Sequence, residues 1–193
     1  MTTAMRIRDA LIFAVLMTVL DIGQSGQSHR EEKDEDIAEF YSTGSTIQTL
    51  YTTMGKTACK VDNVNATGSV STEFQRRLGP EAKGQRLQLV GKFMNTRYAF
   101  GGRPFNAMDV TLKTGSGYYS YEELLFTFGG GNCGIFFVST TWGRRGRDFE
   151  IRSKNGNSTP QGCHDKFKSH TRRAGIVASK IWDCNNAASR QTR

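Results

Sequence analysis

From about residue 47 to residue 152 the chain alternates apolar and polar positions with a period of two. That is the spacing of strands with one buried face. Leu87, Leu89 and Phe93 alternate with Arg86, Gln88 and Lys92. Met108, Val110 and Leu112 alternate with Asp109, Thr111 and Lys113, and Phe149 and Ile151 with Asp148, Glu150 and Arg152. Leu124, Phe126 and Phe128 continue the pattern, and residues 135–138 read as a short apolar strand. Adding residues 47–53, 59–64 and 70–76 brings the count to about eight strands. Turn signals separate them: Gly79-Pro80, Gly101-Gly102, Gly115-Ser116-Gly117, the run Gly129 to Asn132, and Asn155-Gly156. Eight antiparallel strands in series predict an all-β chain closed into an up-and-down barrel, which removes the sheet edges. Two helical pieces flank the strands. Residues 34–41 form a short acidic amphipathic segment. Residues 163–173 place Cys163 and Phe167 on one face and His164, Lys168 and Arg172 on the other.

The start of the chain follows a different rule. Arg6 and Arg8 precede an eleven-residue apolar run, residues 10–20, and Gly23, Ser25 and Gly26 supply small residues for cleavage. This reads as a secretory signal peptide over residues 1–26, too short for the roughly 20 residues of a membrane span. Residues 27–193 are then one domain of ordinary size, soluble and extracellular. All four cysteines, Cys59, Cys133, Cys163 and Cys184, lie beyond the signal. An even number in an exported chain reads as a disulfide framework.

The net charge is +8, unevenly placed: residues 29–39 are acidic and residues 144–193 strongly basic. A basic surface can recruit nucleic acid, heparin-like polyanions or small anions, or can be a plain solvated face. Arg144, Arg145 and Arg147 have no interleaved aromatic residues, and a secreted chain seldom meets nucleic acid, so that partner is set aside. Catalytic constellations fail individually. The run Gly129 to Gly134 lacks the Lys-Ser/Thr pair of a phosphate loop and leads into a strand. A nucleophilic Cys133 would leave an odd thiol. His164, Asp165 and His170 do not share a helix face and have no further ligand, so neither a metal nor any other cofactor is expected. With no set of nucleophile, base and orienting group, the chain does not read as an enzyme. Asn65-Ala66-Thr67 and Asn157-Ser158-Thr159 are glycosylation acceptors, the second made poorer by Pro160.

Tyr51 through Cys59-Lys60-Val61, the element Asn132 to Val138, the helix opening Cys163-His164-Asp165-Lys166-Phe167 and the closing Cys184 together resemble the tick salivary lipocalins of the histamine-binding type. The resemblance covers about residues 34–184. It implies an eight-stranded lipocalin barrel with an N-terminal helical turn and a C-terminal helix, and disulfides Cys59–Cys184 and Cys133–Cys163. It also implies a monomeric carrier that sequesters a small host mediator and dampens host defence, without catalysis.

Members of that type hold histamine or serotonin on acidic side chains inside the barrel, since a buried amine needs a carboxylate and aromatic faces. Position by position, the resemblance gives a mixed site. Glu150 matches an acidic pocket residue, although Arg152 shares its inward face and can neutralise it. Gly134 stands where an acid follows the cysteine. A further acidic position falls at Gly91 or Lys92, two aromatic positions at Met108 and Val110, and another near Tyr121. The segment before Cys59 lacks the expected Asp and Trp. An apolar lining of Met108, Val110, Phe126 and Phe137, with Lys92 or Arg97 nearby, suits an anionic lipid such as a leukotriene or fatty acid better than a cation. A different class of function remains open on the same scaffold: a host-protein inhibitor of haemostasis or complement acting through surface loops.

Overall fold

The computed structural model describes residues 35–55, 59–97, 102–115, 117–140, 148–156, 159–181 and 184. The expected signal segment, the cluster Arg144 to Arg147 and the expected acceptor Asn157 lie outside the described residues. Eight strands follow one another as expected: β1 (Thr46–Thr52), β2 (Lys60–Thr67), β3 (Ser71–Leu78), β4 (Gln85–Met94), β5 (Ala107–Leu112), β6 (Tyr118–Phe128), β7 (Cys133–Ser139) and β8 (Asp148–Lys154). Each pairs antiparallel with the next, and β8 returns to β1, whose first residues also pair with β2. The sheet is therefore a closed up-and-down barrel. A two-residue strand, β9 (Ser179–Lys180), adds to the free half of the β1 edge at Tyr51 and Thr52.

Strand β6 begins at Tyr118, well before the apolar alternation at Leu124 starts. Its early inward positions, Ser120 and Glu122, are polar and give no hydrophobic signal, yet both are fully buried. Bulges then reset the side-chain parity. The β6–β7 register shifts between Leu124 and Phe126, so Leu124 faces the interior while Leu125 and Phe126 both pack outside. The β1–β8 register shifts likewise between Thr49 and Tyr51. A bulge inserts one unpaired residue and turns the following side chains to the other face.

The core consequently has two layers. Inside the barrel lie Ile47, Phe74, Leu89, Met108, Val110 and Phe136 with their neighbours. Outside, Ile135, Phe149 and Ile151 pack under helix α2 (Gln161–Arg173), which buries Cys163, Phe167 and Thr171 at four-residue spacing. The Cys133–Cys163 disulfide ties this helix to β7, and Cys59–Cys184 ties the tail to the start of β2. This pairing is the one that the resemblance implied.

Helix α1 (Ile37–Phe40) is a single turn. Asp36 caps it, its Oδ1 accepting from the Ala38 amide at 2.9 Å. Ile37, Phe40 and the following Tyr41 are buried; the Phe40 ring meets Phe136 edge-on at 5.2 Å and Tyr41 leans on Phe74 at 5.3 Å. The last residues of β2 and β8 hold this turn, Thr67 Oγ1 donating to the Tyr41 carbonyl and Lys154 Nζ to the Glu39 carbonyl. The α1 segment thus closes one end of the barrel, leaving the starts of β2 and β8 at the other.

Candidate functional site

Among the described residues, the interior of the barrel holds six charged side chains, each no more than 4 % exposed: Lys60, Asp62, Arg76, Glu122, Glu150 and Arg152. Such burial is tolerable only when every charge is paired and hydrogen-bonded. Arg76 on β3 makes a fork with Asp62 on β2, Nε and Nη2 each donating at 2.7 Å, and its Nη1 reaches Glu122 Oε1 on β6 at 2.7 Å. Glu122 Oε2 accepts from Arg152 Nη1 at 2.5 Å, and Ser120 Oγ donates to Oε1 at 2.9 Å. The same Arg152 Nη1 donates to Tyr41 Oη at 2.6 Å, and Tyr41 donates to Asp62 Oδ2 at 2.8 Å. Arg152, Glu122, Arg76, Asp62 and Tyr41 therefore form a closed ring of charge-assisted hydrogen bonds. A branch leaves it at Arg152, whose Nε donates to Glu150 Oε2 at 2.8 Å; Lys60 Nζ sits 3.0 Å from both Glu150 oxygens. Lys60 begins β2, so this branch lies toward the end opposite α1.

Three cations balance three carboxylates, and their fields set the protonation states. Burial opposes the Glu122 charge, but Arg152, Arg76 and Lys60 together overcome it and hold the carboxyl well below its usual range. Glu150 is lowered against the same burial by Lys60 and Arg152. Burial lowers the Lys60 ammonium, reinforced by Arg152 and Arg76. Burial pushes the Tyr41 hydroxyl well above its ordinary value, so it stays a neutral donor. Aromatic faces complete the lining: the Arg152 guanidinium lies 4.2 Å from the Phe136 centroid, and Arg76 stands over Phe74 and Tyr119.

One donor is left over. Arg152 Nη2 forms an ion pair with Glu150 Oε2 at 2.7 Å but is out of line to donate to it, and among the described residues this buried nitrogen finds no aligned hydrogen-bond acceptor. A buried unsatisfied donor of a charged group is costly.

The residues singled out by sequence divide between the two faces. Glu150 lies inside, paired as described, and Met108 and Val110 line the interior. Phe126 and Phe137 do not line it; both lie outside, packed with the α2 layer. For Phe126 the cause is the β6 bulge. Phe137 alternates outward between Phe136 and Val138, a parity that an all-apolar run does not disclose. Tyr121 is also outside, meeting Phe137 edge-on and donating to Glu123 Oε2 at 2.9 Å. Lys92 is exposed on the outer face, and Arg97 pairs at the surface with Glu35 at 3.1 Å. Asn65 is exposed on β2, as the extra residue of the bulge between Val64 and Ala66.

The two glycines that replaced expected acids are occupied space. A Cβ on Gly134 would stand 2.7 Å from the Phe136 ring, 2.9 Å from the Phe40 ring and 3.0 Å from Leu124. A Cβ on Gly91 would stand 2.5 Å from Met108 Sδ. Asp62, Arg76, Glu122 and Lys60 were not found from sequence. Parity carries their signal: Asp62 is in step with Val64, Arg76 with Phe74, and Glu122 with Leu124. Among the described residues, no group of three or more His, Cys, Asp or Glu side chains is placed to hold a metal ion.

By sequence the chain matches no family model and no curated protein. By structure it is similar to solved lipocalin barrels. The serotonin complex of AM182 aligns at TM-score 0.52 with 15% identity, over 76% of this chain and 88% of that one. The odorant-binding protein OBP1 aligns at 0.52 with 12% identity, over 79% and 100%. A dog lipocalin allergen aligns at 0.50 with 13% identity, over 74% and 95%. The fold is that of the lipocalins, here with an interior neutralised by its own charges.

Proposed function

We propose that this protein is a secreted carrier of the tick salivary lipocalin kind, and that its barrel takes up a small host mediator with an anionic head, a leukotriene or fatty acid. The observation that carries this reading is Arg152 Nη2, a buried guanidinium nitrogen near the Phe136 ring that pairs with Glu150 Oε2 at 2.7 Å but makes no aligned hydrogen bond among the described residues. A carboxylate head would give that nitrogen an aligned acceptor, and an acyl chain would lie against the apolar side chains of the interior. A protonated amine meets the opposite situation. Glu150 already holds Lys60 and Arg152, Glu122 holds Arg76 and Arg152, and Asp62 holds Arg76 and Tyr41. An amine would have to displace one of these cations, and the site left by Gly134 is filled by Phe40. Secretion is supported by the basic and apolar segment of residues 1–26 and by two disulfides, which persist in oxidising compartments.

Calorimetric titration with a leukotriene, a long-chain fatty acid, histamine and serotonin tests the proposal. Saturable equimolar binding of either lipid, abolished in Arg152→Gln and retained in the surface variant Lys92→Gln, is the expected result. Tight amine binding without lipid binding overturns the ligand class. Silence from all four ligands overturns the carrier reading and leaves the barrel as a scaffold for a protein inhibitor.

A further inference from the structure

A second feature lies outside the barrel. Helix α2 exposes Lys166, Lys168, Arg172 and Arg173, against one exposed acid, Asp165, which accepts from Gln161 Nε2 at 2.9 Å. Lys168 and Arg172 line two adjoining hollows, of about 350 Å³ and about 300 Å³. The larger runs between the helix and the barrel over Tyr51, Phe167, Ile176 and Ala178; the smaller lies along the helix toward Arg173. Lys180, exposed on β9 in register with Tyr51, adds a further cation beside the first.

Some surface cations are paired, and others, such as Lys83, Arg86 and Lys92, stand singly with no carboxylate partner among the described residues; those of α2 are unpaired and clustered. Lys113 pairs with Glu73 at 2.6 Å and Arg97 with Glu35 at 3.1 Å. Lys168, Arg172, Arg173 and Lys180 pair with no carboxylate among the described residues. Their arrangement also follows the helix. At a rise of 1.5 Å per residue, Lys168 and Arg172 share one face about 6 Å apart. Arg173 flanks them at the smaller hollow, while Lys166 lies round the helix over the Phe126 ring. A single phosphate or sulfate needs donors converging on a point, whereas a row of unpaired cations matches a chain bearing repeated anions.

We infer that the α2 face binds a sulfated polysaccharide of the glycosaminoglycan class, which lies along the groove with its sulfates on Lys168, Arg172 and Arg173. Charge complementarity carries the choice, and the rest of the surface narrows it. Single-stranded nucleic acid needs exposed rings for stacking. Here Phe167 is buried and Tyr51 is half-buried against His164. A lipid surface needs an apolar face to insert. Among the described residues, the large apolar side chain exposed beside the groove is Val177, at 85%. Such binding would hold an extracellular protein at the tissue matrix. It rests on secretion but not on the barrel's ligand.

Heparin-affinity chromatography of the full chain in a salt gradient tests the inference. The variant Lys168→Gln/Arg172→Gln/Arg173→Gln should elute at clearly lower salt, with heparin Kd raised roughly tenfold. The control Lys83→Gln/Arg86→Gln/Lys92→Gln removes equal charge from exposed positions in the β3–β4 region and should elute as the parent does. Equal shifts in both variants, or none in the first, would overturn the site. Binding of duplex DNA or of phosphatidylserine vesicles as tight as that of heparin would overturn the occupant. Barrel titrations on the first variant should be unchanged, which separates this surface from the carrier reading.

Discussion

At the scale of single residues, the barrel is governed by the exact pairing of its buried charges. Glu122 is the hinge of the ring, because it accepts from both arginines. Glu122→Gln keeps the shape but leaves two guanidinium groups short of a counter-charge. Breaking a buried pair in this way costs about 3–5 kcal/mol, and urea unfolding should show a loss of that order. A change within 1 kcal/mol would mean that the ring contributes little. The same carboxyl makes stability depend on pH. Its folded pKa is held below the ordinary 4.5, so the unfolded chain binds the proton first as acid is added. The contribution is full above 4.5 and is lost as pH falls below it toward the folded value. Glu150 acts with the same sign. Thermal melts from pH 7 to pH 3 should therefore fall steeply below about 4.5, and less steeply in Glu122→Gln. Of these residues, Glu150 and Arg152 were placed inside by the family resemblance alone, since Phe149 and Ile151, the apolar members of their alternation, pack outside under α2. Asp62, Arg76 and Glu122 were not. The parity that carries them rests on one buried apolar residue in step with each, Val64, Phe74 and Leu124, too short a pattern to mark the inner face.

At the scale of elements, the α1 turn and strand β7 have exchanged volume. Gly134 has no side chain where the Phe40 ring enters, and the two choices depend on each other. Gly134→Ala should destabilise by about 1–3 kcal/mol, as overpacking does. Combined with Phe40→Ala it should cost less than the sum of the two single changes, a coupling readable from a double-mutant cycle. Strict additivity would show that the two sites do not compete for space. The strands themselves were readable from alternation and from the turn glycines. The α1 segment was readable as acidic and amphipathic, although the capped turn begins only at Ile37. The bulges were not readable. One extra residue in β6 moved Phe126 from the expected lining to the layer beneath α2, and nothing local in Leu124-Leu125-Phe126 announces it.

At the scale of the whole molecule, closure of the sheet and two disulfides hold the chain. Cys59–Cys184 spans 125 residues and Cys133–Cys163 spans 30. On the chain-entropy argument the longer link stabilises by about 3–5 kcal/mol. Cys59→Ala/Cys184→Ala should lower the urea midpoint accordingly, and a larger loss than Cys133→Ala/Cys163→Ala is expected from loop length alone. The sequence by itself determined what is local: strand periodicity, turn positions, the two helical faces and a cysteine pattern that reads as a framework. Those properties depend on neighbours within a few residues, and they were enough for an all-β up-and-down barrel. Tertiary structure alone decided which charges meet. Partners in the ring are separated by 14 residues for Arg76 and Asp62 and by 111 for Arg152 and Tyr41. Only barrel closure brings such distant positions onto one inner surface, and there burial forces each charge to find its opposite.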